Sequence, residues 1–241
     1  MSEYSKLAKI YDALYSFKNY EAEARRLHEI ISEKKTSPGN TLLDVACGTG
    51  NHLAFLRRTY SVEGIDLTPE MLEVARARNP EITFHQGDMR TFDLGRRFDV
   101  VTCLFSSIGY MRTVRDLRAA VVNMTRHLSP GGVLIIEPWL TEETWTSGGI
   151  HTWNIERPDC KIVRMDIASK KERKSIFRQH MLIGTAEGVR YLRQTHELFL
   201  FSNAEYIEAF AAAGLDVTYD EKGLMNRGLF IGTSITLTTN R

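Results

Sequence analysis

The stretch TLLDVACGTGNHLAFL, residues 41–56, joins a short apolar run to a helix-like run through two glycines. The apolar and β-branched residues of Thr41–Val45 are typical of a buried strand. Gly48 and Gly50 permit a tight turn after that strand, because glycine adopts positive φ angles readily. A strand, a glycine turn and a helix in this order predict the first unit of a parallel, doubly wound sheet. Such a turn can hold a phosphate, a ribose or an amino acid moiety, so the ligand is open at this point.

Strand and helix patterns alternate up to residue 138, which predicts a mostly parallel sheet with helices on both faces. The predicted strands are Thr41–Val45, Ser61–Ile65, Ile82–Gln86, Phe98–Cys103 and Val133–Glu137, closed by Asp216–Lys222 and Gly228–Leu237. The predicted helices are two within residues 4–34, then Asn51–Thr59, Pro69–Asn79, Arg115–His127 and Asn203–Ala213. The fold class expected is α/β, with a doubly wound, Rossmann-like sheet of seven strands.

The pattern changes after the fifth strand, from Trp139 to about Phe201. Polar and apolar residues alternate there, which predicts three antiparallel strands with a turn at Thr185–Gly188. The chain is therefore expected to divide into N-terminal helices with a cofactor-binding core (1–138), an antiparallel insertion (139–202) and a C-terminal completion of the core (203–241). We expect the insertion to cover the substrate and to help form a homodimer, because its strand edges need cover.

Composition excludes several classes of protein. The 241 residues carry 31 Lys and Arg against 30 Asp and Glu, so no basic field attracts nucleic acid. No apolar run approaches the roughly 20 residues of a membrane helix, and the N-terminus lacks the layout of a signal peptide. The three cysteines are widely spaced and no histidines have metal-ligand spacing, so we expect a cytoplasmic protein without a metal.

Residues that could bind a ligand follow four of the predicted strands. Asp44 and the glycine turn follow the first, Asp66 the second and Asp88 the third, and CLFSSIGYM follows the fourth. The carboxyl ends of parallel strands share one edge of the sheet, which is where ligands bind. Each residue has a structural alternative, such as a turn for Asp88 or the start of a helix for Asp66. Their coincidence at four strand ends favours a binding site.

Together these segments resemble the class I S-adenosylmethionine-dependent methyltransferases. LLDVACGTG is similar to their first motif, GIDLTPEMLEVAR to the second and QGDM to the third. The resemblance implies S-adenosylmethionine as cofactor, with Asp66 on the ribose hydroxyls, Asp88 on the adenine amino group and Asp44 near the sulfonium. The remaining cofactor-binding residues that we expect are Tyr11, Ala46, Gly48, Gly50, Leu67, Met89 and Phe105.

A narrower resemblance rests on the acceptor side. The Asp/Asn-Pro-Pro-Tyr motif of amino-methylating nucleic-acid enzymes is absent after strand four. TCLFSSIGYM, RHLSPGGVLIIEPW and NRGLFIG, together with DVACGTGNHL and QGDMRTF, resemble the nucleotide-linked amino-sugar N,N-dimethyltransferases of antibiotic biosynthesis over nearly the whole chain. That resemblance implies N-methylation of a dTDP-3-amino-3,6-dideoxyhexose, with two transfers expected, by a homodimer.

The family pattern places a tyrosine and a histidine near the reacting amine. The matching residues are Tyr4 and Tyr110, so a tyrosine stands where the family has a histidine, and the sugar and its amine position stay open. The substrate-binding residues that we expect are Tyr15, Ser106, Trp139, Arg178, His180 and Arg227, since guanidinium groups suit a diphosphate. His52, His127 and His196 are interpreted as structural or surface residues.

Other functions are open at this stage. A methyltransferase for another small amine, a carboxylate or a natural-product hydroxyl would carry the same cofactor motifs. A nicotinamide oxidoreductase is disfavoured because the turn lacks a third glycine and no Tyr-x-x-x-Lys motif stands on a helix. An RNA-binding module is disfavoured by the nearly neutral charge.

Overall fold

The computed structural model describes residues 10–234, which form two sheets. The strands are β1 (Thr41–Val45), β2 (Ser61–Asp66), β3 (Thr83–Gln86), β4 (Phe98–Cys103), β5 (Leu128–Ile136), β6 (Ile150–Glu156), β7 (Lys161–Lys171), β8 (Lys174–Thr185), β9 (Gly188–Phe199), β10 (Leu215–Asp220) and β11 (Leu229–Ser234). The helices are α1 (Tyr20–Lys34), α2 (Leu53–Leu56), α3 (Pro69–Arg78), α4 (Val114–Arg126) and α5 (Asn203–Ala212), with a 3₁₀ helix at Ser107–Tyr110. Residues 10–14 are also helical.

The large sheet has seven strands in the order β10-β11-β5-β4-β1-β2-β3. Strands β1 to β5 are parallel, whereas β11 runs antiparallel to both β5 and β10. Two apolar clusters pack on the sheet, one around α4 and α5 and the other around α1 and α3. The predicted seven-stranded, doubly wound fold with an antiparallel insertion after strand five is confirmed.

Local signals explain where the helices begin. Thr113 caps α4 through a hydrogen bond from the Asp116 N–H, and Ser202 forms a capping box with Glu205 at the start of α5. Pro69 stands in the first turn of α3, where its missing N–H costs no helical hydrogen bond. These termini agree with the sequence because capping depends on near neighbours only.

Three element predictions were wrong. The helix expected over residues 51–59 is reduced to the four residues of α2, whose N-cap His52 makes no side-chain capping bond. Strand β5 begins at Leu128 rather than Val133, because the glycines after Pro130 form an irregularity within the strand instead of ending it. The insertion has four strands, and the missing one is β6, whose residues are almost all exposed and so lack a burial alternation.

The four-stranded sheet, in the order β6-β7-β8-β9, has two distinct faces. We define the inner face by the even-numbered residues of β7 and β9 and the odd-numbered residues of β6 and β8, as the strand register requires. Leu14 of the 10–14 helix packs on this face against Ile162, Met181 and Ile183. The outer face carries the opposite residues of each strand, and it holds exposed apolar side chains. They are Ile150, Val163, Met165, Leu182, Val189 and Tyr191.

Candidate active site

The carboxyl edge of the parallel strands brings two aspartates into the interior. Asp44, at 2% exposure, accepts a 2.7 Å hydrogen bond from the Thr102 hydroxyl on the neighbouring strand. Burial raises the pKa of Asp44 to about 6. Asp66 accepts 2.8 Å hydrogen bonds from the N–H groups of Gly48 and Thr68, one on each carboxylate oxygen. Burial also raises the pKa of Asp66, although the two backbone donors oppose that shift.

The glycine turn lies over Asp66 in a conformation that suits a bound ligand. Ala46, Gly48 and Gly50 have φ angles of 60°, 55° and 75°, so three residues of the turn adopt the left-handed region. A Cβ built on Gly48 would meet none of the described atoms within 4 Å. With respect to residues 10–234, the space above Gly48 is therefore open, and the Asp66 carboxylate beneath it keeps lone pairs for further donors.

Asp88 and Met89 follow β3 at the same edge. Arg90 binds Asp88 through its Nε at 3.0 Å and its Nη2 at 2.6 Å, and this contact lowers the pKa of Asp88. Met89 is partly buried against the apolar core, whereas Leu67 is 63% exposed. Asp88 is thus ionised and held in place, which is compatible with accepting from an amino group.

The helical segment over residues 10–14 closes against the glycine turn. Asp12 Oδ1 accepts from the Thr49 hydroxyl at 2.8 Å and from Asn51 Nδ2 at 2.7 Å, and Asp12 Oδ2 pairs with Arg78. These bonds attach the segment to the loop between β1 and α2. The neighbouring Tyr11 is therefore held at the carboxyl edge.

A tyrosine cluster lines the space between the turn and the insertion. The rings of Tyr11 and Tyr15 lie 4.6 Å apart, and Tyr15 meets the Phe105 ring edge-on at 5.0 Å. Burial raises the pKa of Tyr11, as do the nearby groups of Tyr15, Tyr20, Tyr110 and Asp66. Tyr11 is therefore near enough to both Asp66 and Tyr110 for their charges to affect its titration.

The turn after β4 is strained and rests on Glu137. Phe105 and Ser106 have φ angles of 53° and 61°, which are unfavourable for residues with a Cβ. The Phe105 N–H donates to Glu137 Oε2 at 2.7 Å, and the Ser106 hydroxyl donates to the Pro138 carbonyl at 2.7 Å. The fully buried Glu137 therefore holds the backbone of this turn at Phe105.

Cations flank this strained turn. The Lys18 ammonium lies 4.1 Å from the Phe105 ring centroid and pairs with Glu23 at 2.9 Å. Burial lowers the pKa of Lys18, and the Glu23 carboxylate opposes the shift. Arg227 donates to the Ser106 hydroxyl at 2.8 Å, and its guanidinium lies 5.2 Å from the Trp139 ring centroid. The expected substrate residues Ser106, Trp139 and Arg227 are thus together.

Tyr110 contacts the insertion through a residue that sequence reasoning did not select. Its hydroxyl lies 2.7 Å from His196 Nδ1 on the inner face of β9. Tyr110 is 48% exposed, so its ring is accessible to a substrate. Tyr4, the second expected catalytic residue, lies outside the described residues.

Two expected substrate residues do not join this cluster. Arg178 and His180 belong to the outer face of the insertion, where Arg178 donates to Ser169 and His180 pairs with the Tyr191 hydroxyl at 2.5 Å. Strand register decides this placement, because residues two apart in a strand share a face. Within one chain, Arg178 and His180 therefore lie on the opposite face of the insertion from the residues near Tyr110 and Trp139.

Sequence reasoning missed Glu137, Lys18 and His196. Glu137 had a usable signal, since it follows the fifth strand at the carboxyl edge. Lys18 and His196 had none, because both reach the site only through the packing of the N-terminal segment and the insertion.

Among residues 10–234, no three His, Cys, Asp or Glu side chains group so as to hold a metal ion. The cysteines Cys47, Cys103 and Cys160 are free, and burial raises the pKa of the Cys47 and Cys103 thiols. Within the same described range, no helix is both long and apolar enough to span a bilayer. The cytoplasmic location stays a prediction.

Comparisons with known proteins identify the family. A family model described as a methyltransferase domain matches residues 42–132, which hold the glycine turn and the strand-end aspartates. The dTDP-3-amino-3,4,6-trideoxy-alpha-D-glucopyranose N,N-dimethyltransferase of Streptomyces venezuelae is 40% identical over 229 residues, which cover 93% of this chain and 96% of that protein. The chain belongs to the S-adenosylmethionine-dependent methyltransferase family. The dTDP-3-amino-3,6-dideoxy-alpha-D-glucopyranose N,N-dimethyltransferase of Streptomyces fradiae is 38% identical, with 96% and 92% of the two chains covered.

Solved structures agree with this assignment of the methyltransferase. DesVI from Streptomyces venezuelae superimposes with a TM-score of 0.91 at 39% identity, covering 95% of this chain and 98% of that one. CalS10 from Micromonospora echinaspora, an amino pentose methyltransferase solved with S-adenosylmethionine bound, gives a TM-score of 0.86 at 39% identity over 94% and 97% of the chains. The predicted family and the predicted cofactor, S-adenosylmethionine, are confirmed.

Proposed function

We propose that this methyltransferase transfers methyl groups to the amine of a dTDP-linked amino sugar in natural-product biosynthesis, giving the N,N-dimethyl product. The observation that carries the proposal is the extent of the likeness to sugar N,N-dimethyltransferases, which covers 96% of the Streptomyces venezuelae relative and so includes the insertion. A likeness confined to the cofactor core would leave the acceptor open, since that core serves many methyltransferases.

The carboxyl edge suits S-adenosylmethionine, which supplies an activated methyl group on a sulfonium when it is bound. The open space above Gly48 admits the methionine portion, and the Asp66 carboxylate has lone pairs left for the ribose hydroxyls. Asp88, held by Arg90, would accept from the adenine amino group. The other residues proposed to bind the cofactor are Tyr11, Asp44, Ala46, Gly50, Leu67, Met89 and Phe105.

The acceptor side must hold a neutral amine in line with the methyl. Alkylamines are largely protonated near neutral pH, and a proton must leave before the nitrogen lone pair can attack. We propose that Tyr110, with Tyr4, orients the amine through hydrogen bonds, so that the protein contributes mainly positioning. Tyr15 and Trp139 would flank the sugar, as their places beside Phe105 and Arg227 support.

The nucleotide end of the substrate needs cations. Arg227 lies at the same edge with its guanidinium over Trp139, and a guanidinium binds a diphosphate bidentately. We assign the diphosphate to Arg227 and not to Arg178, since Arg178 lies on the outer face of the insertion.

We also propose that the protein is a homodimer. We further propose that the chain divides into a cofactor-binding core with N-terminal helices (1–138), an insertion (139–202) and a C-terminal completion of the core (203–241). Half of the twelve exposed large hydrophobic side chains in the described chain lie on the outer face of the insertion. Val163, Leu182 and Tyr191 stand side by side there on adjacent strands. A contiguous apolar patch of this kind is typical of an interface between subunits.

A mass-spectrometric screen tests the function. The protein is incubated with S-adenosylmethionine and one dTDP-amino sugar in each of three separate reactions. The three sugars are those in the names of its relatives: the 3-amino-3,4,6-trideoxy, the 3-amino-3,6-dideoxy and the 4-amino-2,3,4,6-tetradeoxy derivatives of dTDP-glucose. We expect gains of one and then two methyl masses in at least one reaction. No gain in any of them, while the protein binds S-adenosylmethionine, would favour the alternative acceptors: another small amine, a carboxylate or a hydroxyl.

A further inference from the structure

Tyr110 has a half-buried partner, His196, which tight packing holds beside the tyrosine hydroxyl. The 3₁₀ helix that carries Tyr110 packs tightly on the insertion, because a Cβ on Gly109 would come within 2.9 Å of the Trp139 Cβ and 3.0 Å of the Leu198 Cδ2. Glycine at 109 thus permits this approach. Leu198 and His196 share the inner face of β9, so the same contact places the imidazole beside the Tyr110 hydroxyl.

The surroundings of His196 favour a neutral ring. Burial and the Arg164 guanidinium lower the pKa of His196, and the Asp166 carboxylate acts in the opposite direction. Arg164 is itself neutralised by Asp166 through an Nε–Oδ1 hydrogen bond of 2.8 Å. A neutral imidazole has one nitrogen that accepts, and a phenol is a better donor than acceptor, which favours the tautomer in which Tyr110 donates to Nδ1.

We propose that His196 is a positioning residue for methyl transfer, which accepts the Tyr110 hydroxyl hydrogen and thereby leaves the tyrosine oxygen as an acceptor toward the substrate amine. The inference rests on the proposed function and deepens it. With its single hydrogen committed to His196, Tyr110 can receive an N–H of the amine but cannot donate to the nitrogen lone pair. That lone pair then stays free for the methyl. A tyrosine hydroxyl free to rotate would instead donate to the lone pair in part of the population and block attack.

The test is a double-mutant cycle with an acceptor rescue. His196→Phe removes the acceptor, whereas His196→Asn puts a carbonyl oxygen close to the position of Nδ1. Turnover is measured for each variant with a dTDP-amino sugar that the wild-type protein methylates, and S-adenosylmethionine affinity is measured by calorimetry. We expect His196→Phe to lower kcat by about 3- to 10-fold, as for one hydrogen bond, with cofactor affinity unchanged. His196→Asn should stay within about twofold of wild type.

The cycle distinguishes positioning from packing. Tyr110→Phe should lose about as much kcat as His196→Phe, and the double variant should lose no more than either one, because both act through one hydrogen bond. A matched control is Tyr60→Phe, which breaks another tyrosine–histidine pair, the 2.8 Å contact of Tyr60 with His28 Nδ1, and should leave kcat unchanged.

Several results would overturn the inference. They are multiplicative losses in the double variant, a His196→Asn variant as slow as His196→Phe, or full kcat in His196→Phe. If His196→Phe does not fold, His196→Leu takes its place in the cycle. Failure of the wild-type protein to methylate any dTDP-amino sugar would count against the proposed function itself, which is a separate outcome.

Discussion

At the scale of single residues, Asp44 is the group through which we expect cofactor binding to depend on pH. Its carboxyl is 2% exposed, and burial raises its pKa to about 6, so a large fraction is protonated at pH 5. A raised carboxyl pKa means that the folded apo protein loses stability as pH rises from about 4 to about 6. The family resemblance puts Asp44 near the sulfonium, and a cation there would favour the ionised form.

We therefore predict that S-adenosylmethionine binds more tightly as the pH rises from 5 to 7, by up to about tenfold per pH unit below the pKa. S-adenosylhomocysteine has no sulfonium charge and should show a smaller change. Calorimetric titrations of both ligands at pH 5, 6 and 7 measure the difference. Asp44→Asn should abolish it, and an equal pH response of the two ligands would argue against a carboxylate–sulfonium contact.

The proposed role of Asp66 in binding the cofactor ribose can be tested with a single substitution. Asp66→Ala removes the proposed acceptor for the ribose hydroxyls and should weaken S-adenosylmethionine binding by about 1–3 kcal/mol. Asp93→Ala is a suitable control, because the Asp93 side chain is 86% exposed. Thermal unfolding of both variants checks that the turn still folds after Gly48 and Thr68 lose their acceptor. Unchanged S-adenosylmethionine affinity in Asp66→Ala would contradict the assignment of Asp66 to the ribose hydroxyls.

At the scale of elements, the Asp12 carboxylate attaches the helical segment over residues 10–14 to the glycine turn. Asp12→Ala removes the bonds from Thr49, Asn51 and Arg78 together. Because the group is partly exposed, we expect little loss of thermal stability but faster release of S-adenosylmethionine, by about 3- to 10-fold. Stopped-flow dissociation measures this rate.

Glu21→Ala provides the comparison for Asp12→Ala. Glu21 lies on α1 and forms an exposed ion pair with Arg58, so its loss should leave the release rate unchanged. If Asp12→Ala lowers the unfolding temperature strongly while release is unchanged, the contact holds the fold together and does not close the cofactor site.

Elements also show what sequence can predict. Strands β1, β4 and β5 are mostly buried apolar runs, so their type and order follow from local pattern. Strand β6 was not predicted because nearly all of its residues are exposed, so its sequence shows no alternation of buried and exposed positions. Arg178 and His180 were expected at the substrate, yet their face of β8 depends on how the insertion packs. Tyr110 and His196 are 86 residues apart in sequence, and only tertiary packing joins them.

At the scale of the whole molecule, the insertion presents two faces of different character. Its inner face carries His196 and Arg164 beside the tyrosine cluster. Its outer face presents apolar side chains with nothing from the described chain packed over them, among them Leu182 at 49% exposure and Tyr191 at 59%. A dimer through the outer face would cover this patch and hold the inner face rigid over the site.

We predict that Leu182→Glu turns the proposed dimer into a monomer. Leu182 lies between Val163 and Tyr191 on adjacent strands, so a buried carboxylate there would lack a partner and would cost several kcal/mol of association free energy. Ile207→Glu is the matched control, because Ile207 is 45% exposed but lies on α5, away from the outer face. Analytical ultracentrifugation at micromolar concentration should show a species of about twice 27.5 kDa for wild type and Ile207→Glu, and a 27.5 kDa species for Leu182→Glu. A wild-type protein that sediments only as the 27.5 kDa monomer, or a Leu182→Glu variant that stays dimeric, would reject this face as the interface.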